Sequence, residues 1–533
     1  MKDYDKEYRE FSLSVPEMSS FPLDVFDRWG GSLALFWTDG SVEKKYSFNE
    51  LKVLSSKGAD ALRKAGIGHG DKVMVMLPNV PEWWEVMLAL MRLCAVPIPA
   101  TTLLTAKDIE YRLRATNIKA TVAGEEDAKK VEEAVNSASA NPLLISINGK
   151  RDGWIDYAAE RTRSDGFEGI RASSNEIALI YFTSGTTGPP KMVAHTQASY
   201  PLAHLITGKY WLDLRPGDLH WNLSDTGWAK AAWSSLFGPW HMGAAVFSLY
   251  RPGKFDPSLA IETIHGYPIT TFCGPPTSYR MFVKELPAER FAFPKLRHFA
   301  SAGEPLNREI IEAWKERTGR YIYDGYGQTE TVNVLANFRC LPVKPGSMGK
   351  PVPGFHVDIV DDEGNAVPRD TEGNIAIKIR PSRPLGLFRE YLGNPEATRR
   401  TEKGAWYLTG DRAMKDGDGY FWFVGRADDI ILTSGYRIGP FEIESILIEH
   451  PAVKESAVVA SPDEIRGEVV KAFVVLTQGH VPSDELAKEL QEFVKKHTAP
   501  YKYPRKIEFI GELPKTISGK IIRKELKNKE FGR

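Results

Sequence analysis

Cysteine is scarce. Cys94, Cys273 and Cys340 are the only three in 533 residues, and they are widely separated. That excludes a disulfide framework and a cysteine-rich zinc site, and it fits a reducing cytosol. Net charge is absent as well. The 69 basic and 69 acidic side chains cancel, so composition gives no general attraction to nucleic acid or an anionic membrane. No apolar run suits a bilayer span. The longest, VMLALMRLCAVPIPA, is interrupted by Arg92 and ends in prolines, as a buried helix would. The start, MKDYDKEYREF, carries both signs of charge and lacks the apolar core of a signal peptide. There is no internal repeat and no low-complexity tract. These absences lead us to expect a soluble, cytoplasmic protein with no nucleic-acid partner and no transmembrane segment.

What is present reads as α/β architecture in more than one domain, since 533 residues exceed one ordinary core. DKVMVMLP, KATVAG, EIALIYFTS, AAVFSLY, ITTFCG and LRHFASAG are short apolar runs that end in Gly, Ser or Pro. Amphipathic segments such as PEWWEVMLALMRL lie between them. Alternation of that kind predicts βα-wound parallel sheets with a site at the strand carboxyl ends. From 345 to 425, GFHVDIVDDEGNAVP, GNIAIKIR and DGDGYFWFVG predict a β-rich subdomain with Asp-Gly turns. After GRADDI the pattern becomes FEIESILIEH (helix), ESAVVA and EVVKAFVVL (strands) and SDELAKELQEFVKKHT (helix), a compact α+β unit. We place the boundary at 427/428, giving domains 1–427 and 428–533. The basic tail GKIIRKELKNKEFGR reads as a solvated helix.

The stretch TSGTTGPPK (183–191) puts hydroxyls and glycines before a cation, a composition suited to phosphate oxygens. It is not a Walker loop. Gly185 and Gly188 are only three apart, and Met192 follows Lys191 where a hydroxyl would hold the metal. Taken alone, such a cluster is most often a plain loop.

The stretch does resemble the signature loop of the adenylate-forming family of acyl-CoA synthetases, luciferases and nonribosomal-peptide adenylation domains. Further motifs follow in order: SAGEP (301–305), DGYGQTE (324–330), YLTGD (407–411), GRADDIILTSGYRIGPFEIE (425–444) and PKTISGK (514–520). The resemblance runs from about residue 25 to the end. SDTGW, YGQTE, SPDEIRGEVVKAF and TAPYKYPRKIEF are similar to the medium-chain acyl-CoA synthetase branch. A departure is Pro189-Pro190, where the family's loop is usually Leu-Pro or Lys-Pro.

The resemblance implies an ATP-dependent, AMP-forming acid–CoA ligase for a medium-chain, branched or aromatic acid, with Mg²⁺ as cofactor and CoA as co-substrate. It implies ATP contacts from Thr183, Ser184, Gly185, Thr186, Thr187, Gly188 and Lys191, and from Gly303, Glu304 and Pro305 on the adenine side. Asp324, Gly325, Tyr326, Gly327 and Gln328 join them. Thr329 would meet the α-phosphate and Glu330 would hold Mg²⁺, a hard cation that prefers oxygen. Asp411 would accept both ribose hydroxyls with Arg426 beside it. Lys520 would neutralise charge at the α-phosphate. Ser434, Gly435 and Tyr436 would line the CoA tunnel, with Arg466 near CoA phosphates. Thr101, Trp233, Gly327 and Arg437 would face the acyl group, with Trp228 a further pocket candidate. Asp428 would be the hinge of a mobile C-terminal domain, because Lys520 and the Gly435 segment cannot both face one site. His195 reads as structural. Acetate-activating relatives carry a tryptophan at the position of Gly327, so this glycine predicts a deeper pocket. A homodimer is a further expectation. Competing readings are a carrier-loading adenylation domain, a non-catalytic adenylate binder and a luciferase-type oxygenase.

Overall fold

We describe a computed structural model of the chain, comprising residues 1–183, 189–433, 436–463, 466–516 and 520–532. The runs read as strands are strands, and the order in which they pair sets the architecture. Among the described residues the largest sheet has nine strands. Its centre is parallel, running Ile322–Tyr326, His298–Ala302, Thr271–Gly274, Leu219–Asn222, Ala245–Leu249 and Leu33–Thr38. Antiparallel strands close both of its edges. A second sheet of five parallel strands is built around Lys72–Met76 and Ile118–Ala123. Both faces of such sheets are covered, which explains the near-continuous apolar strands.

Helices start where local chemistry starts them. Ser47 and Glu50 form a reciprocal cap at Phe48–Lys64, and Pro81 occupies the first turn of Pro81–Arg92. The last of these is buried almost throughout, including Trp83 and Trp84. Each large apolar side chain buried this way contributes roughly 1.5–3 kcal/mol. The β-rich region is an antiparallel sheet of Val357–Val360, Gly373–Lys378, Glu402–Lys403, Trp406–Lys415 and Phe421–Arg426.

The smaller C-terminal domain has a core of its own, with Ile431, Ile438, Ile443, Leu447, Val458, Val474, Leu490 and Val494 among its members. Its sheet pairs Val453–Asp463 with Gly467–Leu476 over the helices Pro440–Glu449 and Asp484–His497. The basic tail forms the helix Arg523–Glu530, anchored by buried Leu526.

One placement differs from the sequence reading. EIALIYFTS, expected in a parallel sheet, does not join one. Ile177–Thr183 and Lys191–Thr196 are antiparallel neighbours, with Thr183 opposite Lys191, in a separate three-stranded sheet completed by Glu390–Tyr391. Alternating apolar runs predict strands but do not distinguish a wound connection from a hairpin.

Candidate active site

Asp411 owes its position to a break in pairing. Gly373–Lys378 loses register with Trp406–Lys415 where Thr409, Gly410 and Asp411 pass, and Gly410 takes φ 76°. A glycine adopts that left-handed conformation without the steric cost a side chain adds. Asp411 then lies cross-strand from Arg426, whose Nε is 3.8 Å from Oδ1. The Tyr326 hydroxyl donates to Asp411 Oδ2 at 2.6 Å and Gln328 Nε2 donates to it at 2.7 Å. Gln328 also donates to the Thr409 carbonyl at 2.9 Å. Burial pushes the Asp411 carboxyl up, while Arg426, Tyr326, Gln328 and Lys520 act to hold it ionised.

Residues 329 and 330 are held by the three-stranded sheet. Buried His195 makes a 2.7 Å Nε2 contact to the Thr329 carbonyl oxygen, and burial drives its imidazole down to about 3. It is a neutral brace. The backbone N–H of Phe388 donates to the Glu330 carbonyl at 2.7 Å, and the Tyr391 hydroxyl donates to Glu330 Oε1 at 2.8 Å. Lys191 Nζ stands 4.7 Å from the centre of the Tyr391 ring. Glu330 is half-buried, with one oxygen engaged by a neutral donor. A hard divalent cation suits that environment. Among the described residues there is no ready-made cluster of three or more metal-ligating side chains, so the metal's other ligands would come from phosphates and water.

Lys520 reaches this region from the C-terminal domain. Its backbone is clasped by Thr516, with N–H to Oγ1 at 3.1 Å and C=O from N–H at 2.7 Å. Its charge is felt at both Asp411 and Lys230. Lys230 has a buried Nζ with no hydrogen-bond partner among the described residues. Burial depresses its ammonium, and Cys273, Glu304 and Asp324 oppose that. Buried Asp324 has its own carboxyl pushed well up by desolvation. The domains meet through Asn307 Nδ2 donating to Ser445 Oγ at 2.8 Å, and through Lys284 Nζ donating to the Ile448 and Val453 carbonyls at 3.2 Å each.

Of the acyl-side candidates, Gly327 is set directly against Trp233. Its indole N–H donates to the Tyr200 hydroxyl at 2.6 Å, and Trp211 packs edge-on to it. A β-carbon on Gly327 would stand 2.5 Å from the Val332 carbonyl oxygen and 2.6 Å from Trp233 Cη2. The Thr101 hydroxyl is committed to Asp225 Oδ2 at 2.9 Å, and it braces the turn that carries Trp228. Gly325 is packed on Trp211. Glu304 accepts from Thr277 and Arg280, between Gly303 and Pro305. Asp428 is exposed, in the short helical turn Ala427–Asp429. Arg466 is exposed beside Gly467, which pairs with Thr433. Ser184, Gly185, Thr186, Thr187, Gly188, Ser434 and Gly435 lie outside the described residues, as do the side chains of Tyr436 and Arg437.

Sequence reasoning missed Tyr391, Lys230, Asn307 and Lys284. For Lys230 a signal existed: it sits in SDTGWAKAAW, inside an otherwise small and aromatic stretch.

A two-domain α/β fold with these carboxylates and a lysine brought in from the small domain defines an adenylate-handling enzyme. The chain belongs to the AMP-binding enzyme family, whose model matches residues 25–392, with the AMP-binding enzyme C-terminal domain matching 442–520. It is 49% identical to the rat mitochondrial acyl-coenzyme A synthetase ACSM3, covering 99% of this chain and 93% of that one. It is 47% identical to human mitochondrial ACSM5, covering 97% and 92%. Among solved structures it is similar to the anthranilate CoA ligase AuaEII in complex with anthranoyl-AMP, with TM-score 0.89, 30% identity and 97% and 98% coverage. The benzoate CoA ligase from Burkholderia xenovorans follows at TM-score 0.83, 29% identity, and 96% and 100% coverage.

These relatives correct the cytoplasmic expectation. The curated ones are mitochondrial by name, which points to the mitochondrion instead. Organelle-targeting segments are amphipathic and need no apolar core, so the charge pattern of MKDYDKEYREF does not decide the compartment. Among the described residues no helix is long and apolar enough to cross a membrane.

Proposed function

We propose that the chain activates a medium-chain, branched or aromatic carboxylic acid with ATP and passes it to CoA, releasing AMP and pyrophosphate. The carboxylate oxygen attacks the α-phosphorus, pyrophosphate leaves, and the CoA thiol then displaces AMP from the mixed anhydride. The observation that carries this reading is the meeting at Asp411. Tyr326 and Gln328 of the large domain both donate to its Oδ2, and Lys520 of the small domain stands near enough for its charge to favour the carboxylate form.

In this reading Asp411 and Arg426 hold the ribose, and Thr329 and the 183–191 segment hold the phosphates. Lys520 offsets charge that builds on the α-phosphate, which positioning and electrostatics can largely achieve. Glu330 would hold Mg²⁺, which would neutralise phosphate charge when bound. Residues 428–533 move as a unit about Asp428, and the 434–436 segment with Arg466 receives CoA after Lys520 withdraws. Trp233, Gly327, Thr101 and Arg437 shape the acyl side. A homodimer is the assembled form in this reading, and sedimentation velocity separates it from a monomer. The test of function is AMP release with ATP and CoA over C4–C10 straight acids, 2-methyl-branched acids and benzoates. CoA-dependent turnover of several of these is expected. Adenylation without any thioester product would instead favour a carrier-loading domain.

A further inference from the structure

Tyr391 touches two residues of the phosphate region at once and has no motif of its own. Its strand, Glu390–Tyr391, pairs antiparallel with Lys191–Thr196, setting Tyr391 opposite Val193. Backbone bonds from Arg389 N–H to the Ala194 carbonyl and from Leu392 N–H to the Met192 carbonyl, both 2.8 Å, fix that register on either side. The Tyr391 N–H is taken by Thr398 Oγ1 at 2.9 Å. The ring is therefore held by structure that does not depend on nucleotide. It is 6% exposed, and burial together with the nearby Glu330 charge makes the phenol a weaker acid. It remains a hydroxyl donor at any working pH.

We propose that Tyr391 is a positioning residue for the metal-bearing carboxylate and a resting place for the loop lysine. Its hydroxyl fixes Glu330 Oε1 and so presents Oε2 in one orientation. With Phe388 gripping the Glu330 carbonyl, one short segment holds both ends of that residue. The ring face meanwhile takes the Lys191 ammonium by cation–π attraction, keeping it beside the phosphate site and off the Glu330 carboxylate, where an ion pair would compete with the metal. The inference rests on the reading that Glu330 holds the divalent cation.

The test uses full-length enzyme with ATP, with Mn²⁺ as probe and free Mn²⁺ read by electron paramagnetic resonance. Tyr391→Phe keeps the ring and removes the hydroxyl. Its Mn²⁺ dissociation constant should rise about tenfold, as loss of a partner behind a ligand does, with metal-free ATP binding and melting temperature nearly unchanged. Amine labelling of Lys191 should match wild type in Tyr391→Phe and increase in Tyr391→Leu. Wild-type Mn²⁺ affinity in Tyr391→Phe overturns the proposal. Glu330→Gln separates the two levels. If it loses Mn²⁺ while Tyr391→Phe does not, only the role of Tyr391 fails; if it also binds Mn²⁺ normally, the reading of Glu330 fails and the proposal with it.

Discussion

The outer edge of the Trp233 indole closes on Gly327, standing 2.6 Å from where a β-carbon on that glycine would lie. The indole is pinned at its other side by Tyr200. Space beyond Gly327 is therefore filled by Trp233, so in the proposed reading the depth of the acyl pocket is a property of the pair. A large residue at 327 cannot serve as a clean size probe, because its first carbon meets the Val332 carbonyl at 2.5 Å.

Substrate length should follow Trp233. Trp233→Leu is expected to move preference toward longer acids, each added buried methylene being worth about 0.8 kcal/mol. It should also cost a few kcal/mol of stability, since a large buried ring is lost and the Tyr200 hydroxyl loses a partner. Gly327→Ala should lower activity toward all acids alike. Competition assays between butyrate, hexanoate and benzoate check both. Unchanged selectivity in Trp233→Leu would remove Trp233 from the pocket.

The Asp411 site gives a pH prediction. Its carboxyl is raised by burial and held down by Arg426, Tyr326 and Gln328. Tyr326→Phe deletes one donor to the ionised form, so the pKa climbs further. In the proposed reading ribose acceptance needs the carboxylate, so activity is present above that pKa and is lost as pH falls through it. The acid limb of kcat/KM for ATP should shift to higher pH, with a several-fold rise in KM near neutrality. A limb that stays in place would show that Asp411 ionisation is not what the profile reports.

The domain contact should tune which half-reaction is favoured. Lys284 and Asn307 dock the small domain while the charge of Lys520 reaches the site. Lys284→Met is expected to slow adenylation roughly three- to tenfold, for about 1 kcal/mol of lost docking, and to leave conversion of supplied acyl-adenylate intact. Glu309 acts in the opposite sense. Burial raises its carboxyl above the usual 4.5, with Lys284 opposing and Glu449 adding. To the extent that the small domain's Glu449 and the burial it adds raise this carboxyl, docking is favoured at low pH and that gain is lost as pH rises through the raised value. Glu309→Gln should tighten docking at neutral pH, read as slower proteolysis at the 427–429 turn.

Much of this was legible in the chain. Strands from DKVMVMLP to EVVKAFVVL announce themselves by apolar runs and turn residues, and YLTGD and DGYGQTE mark themselves by motif, the first within the strand Trp406–Lys415 and the second running out of the strand Ile322–Tyr326. What escaped depends on pairing across long separations. Tyr391 in REYLGN carries no spacing signal, and its meaning comes from lying beside Lys191 and Glu330. Asn307 and Ser445 look like surface residues until two domains are docked. The antiparallel pairing of Ile177–Thr183 with Lys191–Thr196 was hidden because period and composition do not encode strand direction.

In the proposed function Lys520 serves adenylation and not thioester formation. Lys520→Ala should be assayed for acid-dependent pyrophosphate exchange and, separately, for conversion of chemically supplied acyl-adenylate to acyl-CoA. The first rate should fall about 10²- to 10³-fold, as loss of a preorganised charge contact does, while the second stays near wild type. Equal loss in both half-reactions would contradict it.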